Sequence, residues 1–201
     1  PPLYAFARRR GATPDDAAEL IQDFFAALLE GDAFAGFDRG RGRFRSWLLG
    51  ALRHHDAKRF EAAHAVKRGG RVEIVRLDPA IAERELASIG GDELAPEAAY
   101  ERAWALGVLR RAEDRLRSEY ATRRADAEFA ALAPILLHDD DTPYARLGQR
   151  LGKSEGAIKV AVHRLRKRFG DLLRREVGET VADPREVDAE LRELISAVRR
   201  R

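Results

Sequence analysis

The sequence predicts an all-α protein of two small helical domains joined by a linker, with a further amphipathic helix at its C-terminal end. Three observations carry this. Apolar residues recur at 3.6-residue spacing along most of the chain, as in Ala17, Leu20, Ile21, Phe24, Phe25, Leu28 and Leu29. Helix start signals precede these stripes, and glycines or prolines close them. No segment reads convincingly as a strand, and no internal repeat is visible. Residues 1–68 form the first domain, 69–97 the linker, 98–178 the second domain and 179–201 the C-terminal extension.

Each element has its local reason. Leu3 to Arg10 reads as the end of a helix stopped by Gly11. Thr13-Pro14-Asp15-Asp16 is a start signal close to a capping box, and it opens the helix bearing the stripe above. Asp15, Asp16, Glu19, Gln22 and Asp23 occupy the early turns and outer face of that helix. A loop rich in glycine and arginine covers Gly31 to Gly42, and Phe44 opens a helix that runs to Arg68, before Gly69-Gly70. Between Arg71 and Glu97 two prolines and the pair Gly90-Gly91 indicate a linker holding at most one short helix. Helices follow at Ala98 to Tyr120 and at Ala125 to Leu137, the latter kinked at Pro134. Asp183-Pro184 starts the last helix, with Val187, Leu191, Leu194, Ile195 and Val198 as its stripe.

The stretch Thr142 to Phe169 is the most informative. Thr142 is expected to N-cap a helix with Pro143 at its first position, and Leu147 and Leu151 share one face. Gly152 supplies a residue tolerant of positive φ, and Ser154 caps a second helix that buries Ile158, Ala161, Val162 and Leu165. Gly148 is small where crossing helices approach. Lys159, His163, Arg164, Arg166 and Lys167 lie on the outer face. This is the pattern of a helix-turn-helix whose basic second helix fits a DNA major groove.

Composition bounds the remaining choices. Apolar residues make up 45% of the 201, enough for real cores, and charged residues 35%, which suits solvated helices. Net charge is only +3, but basic residues crowd Arg39 to Arg68 and Lys153 to Arg175, while acidic ones gather at Asp15 to Asp23. Cysteine is absent, which excludes disulfides and thiolate metal sites and fits a reducing cytoplasm. No apolar run approaches the ~20 residues that span a bilayer, so no membrane insertion is expected. Methionine is absent too, so the chain is expected to begin inside a longer protein. His54, His55, Asp56, Glu61 and His64 do not make a metal site: adjacent histidines point about 100° apart on a helix, and His64 lies too far along to converge with them. With no phosphate-binding glycine motif either, neither catalytic residues nor a cofactor or metal is expected.

Two segments together resemble a bacterial RNA polymerase sigma factor of the extracytoplasmic-function (ECF) type, in the sigma-70 family. TPDDAAELIQDFFAALLE followed by FDRGRGRFRSWLLGALRH is similar to that family's region 2. YARLGQRLGKSEGAIKVAVHRLRKRF is similar to its region 4. The resemblance implies a non-enzymatic protein that binds core RNA polymerase and directs it to promoters. It implies that Asp15, Asp16, Glu19, Gln22 and Asp23 dock on a coiled coil of the polymerase β′ subunit, with region 4 meeting the β flap. It implies that Phe37, Arg39, Arg41, Arg43, Arg45, Arg53, His54, Lys58 and Arg59 read or hold the melting −10 element. The family often carries Asn where this chain has His54. For the −35 element the implied contacts are Ser154, Glu155, Gly156, Lys159, Val160, His163, Arg164, Arg166 and Lys167.

The competing reading is a dimeric helix-turn-helix regulator that binds duplex operator alone, with the helix from Pro184 to Val198 as its dimer interface. Region 2, an anti-sigma factor or a regulatory kinase are the other covers for that helix's apolar stripe.

Overall fold

The computed structural model describes residues 1–30, 42–63, 77–90, 93–137 and 143–200, with side chains placed through Arg59 in the second segment and through Leu136 in the fourth. Most of the described residues are helical, and none lies in a strand. The helices are α1 (Pro2–Arg9), α2 (Pro14–Glu30), α3 (Phe44–Ala63), α4 (Pro79–Ile89), α5 (Pro96–Thr122), α6 (Asp126–Leu132), α7 (Pro134–Leu137), α8 (Tyr144–Leu151), α9 (Glu155–Gly178) and α10 (Val187–Arg199). None of them is long and apolar enough to cross a membrane.

The chain divides into two compact units. The first comprises Pro1–Gly107 together with Gly178–Arg201, and the second Val108–Val177. The division therefore falls inside α5, and the C-terminal helix is counted with the first unit.

The first unit is built on the apolar faces of α1 to α4 and the first turns of α5. Tyr4, Phe6, Phe24, Leu52, Leu86 and Tyr100 meet in one core. Thr13 starts α2 as expected: its Oγ1 accepts the Asp16 backbone N–H at 3.2 Å and donates to the Asp16 carboxylate at 2.7 Å. The stripe on α2 is narrower than periodicity suggests. Phe25 and Leu29 are 37% and 64% exposed. They lie about 80° and 120° around the helix from Ala17, on the flank of the face that carries Phe24 and Leu28. Within the stretch expected as linker, α4 is a packed helix: Asp78 caps it through the Ala80 N–H at 2.8 Å, and Ala82, Leu86 and Ile89 enter the core.

The second unit packs the remainder of α5 with α6 to α9 around Leu116, Phe129, Leu132, Leu147, Ile158, Leu165 and Phe169. The helix expected from Ala125 to Leu137 is two helices, because Pro134 lacks an N–H and the chain turns at Ala133 before it. Pro143 is the N-cap of α8 rather than its first residue, since its ψ of 131° is extended, and Thr142 lies outside the described residues.

Candidate nucleic-acid and polymerase interfaces

The geometry of α8 and α9 follows from three small residues. Gly152 ends α8 in the left-handed region at φ 64°, where a side chain is strained. Ser154 starts α9 by accepting the Ala157 N–H on Oγ at 3.3 Å. Gly148 sits where the turn and the start of α9 come close: a Cβ there would lie 2.5 Å from the Lys153 carbonyl oxygen and 3.7 Å from the Glu155 nitrogen. From this turn α9 runs with Ile158, Val162 and Leu165 buried. The opposite face carries Glu155, Gly156, Lys159, Val160, His163, Arg164, Arg166 and Lys167, all exposed, as is Ser154 before them. Glu155 pairs with Lys159 at 2.8 Å and holds its ammonium above the ordinary lysine range. Beside this face lies an open cleft of about 690 Å³, whose cations are Arg123, Lys153, Arg164 and Arg168. Glu128 pairs with Lys153 at 2.7 Å and Glu119 with Arg168 at 2.5 Å, whereas Arg164 has no ion pair among the described residues.

On the first unit, Asp15, Asp16, Glu19 and Asp23 are exposed and Gln22 is half-buried. Arg59, expected at the −10 strand, instead reaches back over this acidic face, 3.2 Å from both Glu19 and Asp23. His54 and Lys58 are exposed on α3. Arg53 pairs with Glu97 and lies over the Phe6 ring, 5.3 Å from its centroid. Trp47 and Leu48 are packing residues: Leu48 is in the core, and Trp47 stacks on Phe44 at 5.6 Å. Phe37, Arg39 and Arg41 lie outside the described residues.

Arg45 departs most from expectation. It is only 7% exposed, with Nε 2.5 Å and Nη2 3.2 Å from the two carboxylate oxygens of Glu190, itself 1% exposed. Its Nη2 also donates to Glu193 at 2.7 Å. Arg43 holds the same two carboxylates, through Nε to Glu190 at 2.9 Å and Nη2 to Glu193 at 2.8 Å. The Arg43 hydrogen bond holds the Glu193 carboxyl below its usual range. Sequence reasoning missed both acids. A signal was present: Glu190 stands four residues before Leu194 and seven before Ala197, so it shares the buried face of α10.

Residues 1–61 match the family model for sigma-70 region 2. No curated protein and no solved structure matches the chain. The matched segment supports a sigma factor of the sigma-70 family, and sigma factors of this family are non-enzymatic. Region 2 implies core RNA polymerase and promoter DNA as partners, and promoter recognition as the role.

Proposed function

We propose that this chain is a cytoplasmic ECF-type sigma factor, organised as region 2 (1–68), a connecting segment (69–97), a region 4 helix-turn-helix domain (98–178) and a C-terminal extension (179–201). The acidic outer face of α2 docks on the polymerase β′ coiled coil, where negative charge steers it to a basic helical pair. Arg53, His54 and Lys58 of α3, with the arginines that precede the helix, hold the opening −10 strand by its phosphates, and α9 enters the major groove at the −35 element while its domain meets the β flap. The observation that carries this is the row from Lys159 to Lys167. It is open to solvent along a helix whose other face carries the buried Ile158, Val162 and Leu165, in a chain whose residues 1–61 match region 2. The burial of Leu194 within the first unit removes one residue from the apolar stripe that operator binding through an α10 dimer requires, which favours the sigma-factor reading. An anti-sigma factor or regulatory kinase remains a partner class for the surface left exposed.

Run-off transcription with purified core polymerase on genomic DNA tests this directly. New start sites that depend on the protein are expected, and none appearing would overturn the reading. Lys159→Ala and Arg164→Ala should each lower those transcripts roughly ten-fold, the worth of one lost base contact of ~1–3 kcal/mol. Both variants should still co-elute with core polymerase. Asp23→Arg should abolish co-elution, and the transcripts with it, because it places a cation on the docking face and repels Arg59.

A further inference from the structure

We infer that α10 occupies the place of a DNA strand on the first unit: the carboxylates of Glu190 and Glu193 sit on Arg43 and Arg45 as strand phosphates would, and an opened strand must displace them to bind. This rests on the reading of Arg43 and Arg45 as strand contacts. The two carboxylates come from one helical turn and satisfy both guanidiniums, a chelating arrangement that a run of phosphates also offers.

The rest of the attachment is polar as well. The Phe44 backbone N–H donates to the Thr180 carbonyl at 3.0 Å, and Arg102 donates to the carbonyls of Val198 and Arg200, the latter at 2.8 Å. Arg200 pairs in turn with Glu101 at 2.9 Å. On α10 itself only Leu194 and Ala197 are fully buried apolar residues. A helix fastened mainly by ion pairs is open to competition from a polyanion, which supplies the same ligands at higher charge density. The consequence is a protein that binds single strands weakly by itself and gains affinity when α10 is released.

The test uses the full-length chain and a fluorescein-labelled single-stranded 12-mer, read by anisotropy without polymerase. Glu193→Gln leaves the buried Glu190–Arg45 pair intact and removes only the half-exposed carboxylate. It is expected to tighten strand binding about five-fold. Glu186→Gln, an equal change of charge at an exposed position on the same segment, should alter binding less than about two-fold. Amide hydrogen exchange across Val187–Arg199 should accelerate as the strand saturates the wild-type protein. Equal effects of the two substitutions, no strand binding by either, or unchanged protection of α10 at saturation would each overturn the inference. The run-off assay fails separately if the chain is not a sigma factor, so the two results are distinguishable.

Discussion

Arg45→Ala is expected to destabilise the first unit by about 3 kcal/mol, at the lower end of the ~3–5 kcal/mol typical for removing one partner of a buried ion pair. The reason is the fate of Glu190. At 1% exposure its carboxylate has no water to turn to, so losing Arg45 leaves a desolvated charge. Arg43, with Nε 2.9 Å from Glu190, supplies partial compensation and keeps the cost from the top of the range. Replacing both partners with apolar residues of similar size, Arg45→Met with Glu190→Leu, should recover most of the loss, because it removes the buried charges together. The chain has two tryptophans, Trp47 and Trp104, and both lie in the first unit, so urea unfolding followed by tryptophan emission reports this unit selectively. A loss below 1 kcal/mol in the single variant, or a double variant no better than the single, would show that the pair contributes little.

That pair also marks the boundary of what sequence reading reaches. Helix starts were legible because capping chemistry is local. Thr13 and Ser154 each bond a backbone N–H three residues on, and Asp183 one two residues on. The buried stripe of α9 was legible for the same reason, since a 3.6-residue period needs no knowledge of what covers it. Arg45 was not legible. An arginine is buried only when a partner meets it, and the partner lies 145 residues away. The same gap shifted part of the expected face of α10. Counting apolar residues chose Val187, Leu191, Leu194, Ile195 and Val198; of these Leu194 is buried and Ile195 is exposed, and the fully buried row is Glu190, Leu194 and Ala197. A stripe count treats a glutamate as outward, and only the facing arginines make its burial affordable. The exposure of Phe25 and Leu29 has a related cause: periodicity shows which residues share a side of α2 but not how wide a strip the neighbouring helices cover.

Gly148→Ala is the second substitution with a large expected effect, about 2–3 kcal/mol against the second unit, although it adds a single methyl group. Alanine gains roughly 1 kcal/mol over glycine in a helix, so an unobstructed position would be stabilised. Here the new Cβ would lie 2.5 Å from the Lys153 carbonyl oxygen, and that atom belongs to the backbone of the turn, so it cannot swing aside like the end of a side chain. The turn must move, which costs ~1–3 kcal/mol in overpacking or somewhat more. It also strains the bond from the Lys153 N–H to the Gly148 carbonyl, now 2.9 Å and worth about 1 kcal/mol. Gly152→Ala is the natural comparison. That residue has φ 64° but nothing within 4 Å of its Cβ position, so only the left-handed conformation opposes the change, at about 1 kcal/mol. Gly148→Ala should therefore be the more damaging of the two. In urea, far-ultraviolet circular dichroism should show an earlier loss of helix, while tryptophan emission keeps its midpoint because the second unit contains no tryptophan. Because Lys153 leads directly into the Ser154 cap, the displaced turn should also shift the first residues of α9 and lower protein-dependent transcripts, as Lys159→Ala does. Wild-type stability in Gly148→Ala, or a larger loss in Gly152→Ala, would mean that the turn yields easily and that the close approach at Gly148 does not set the angle between α8 and α9.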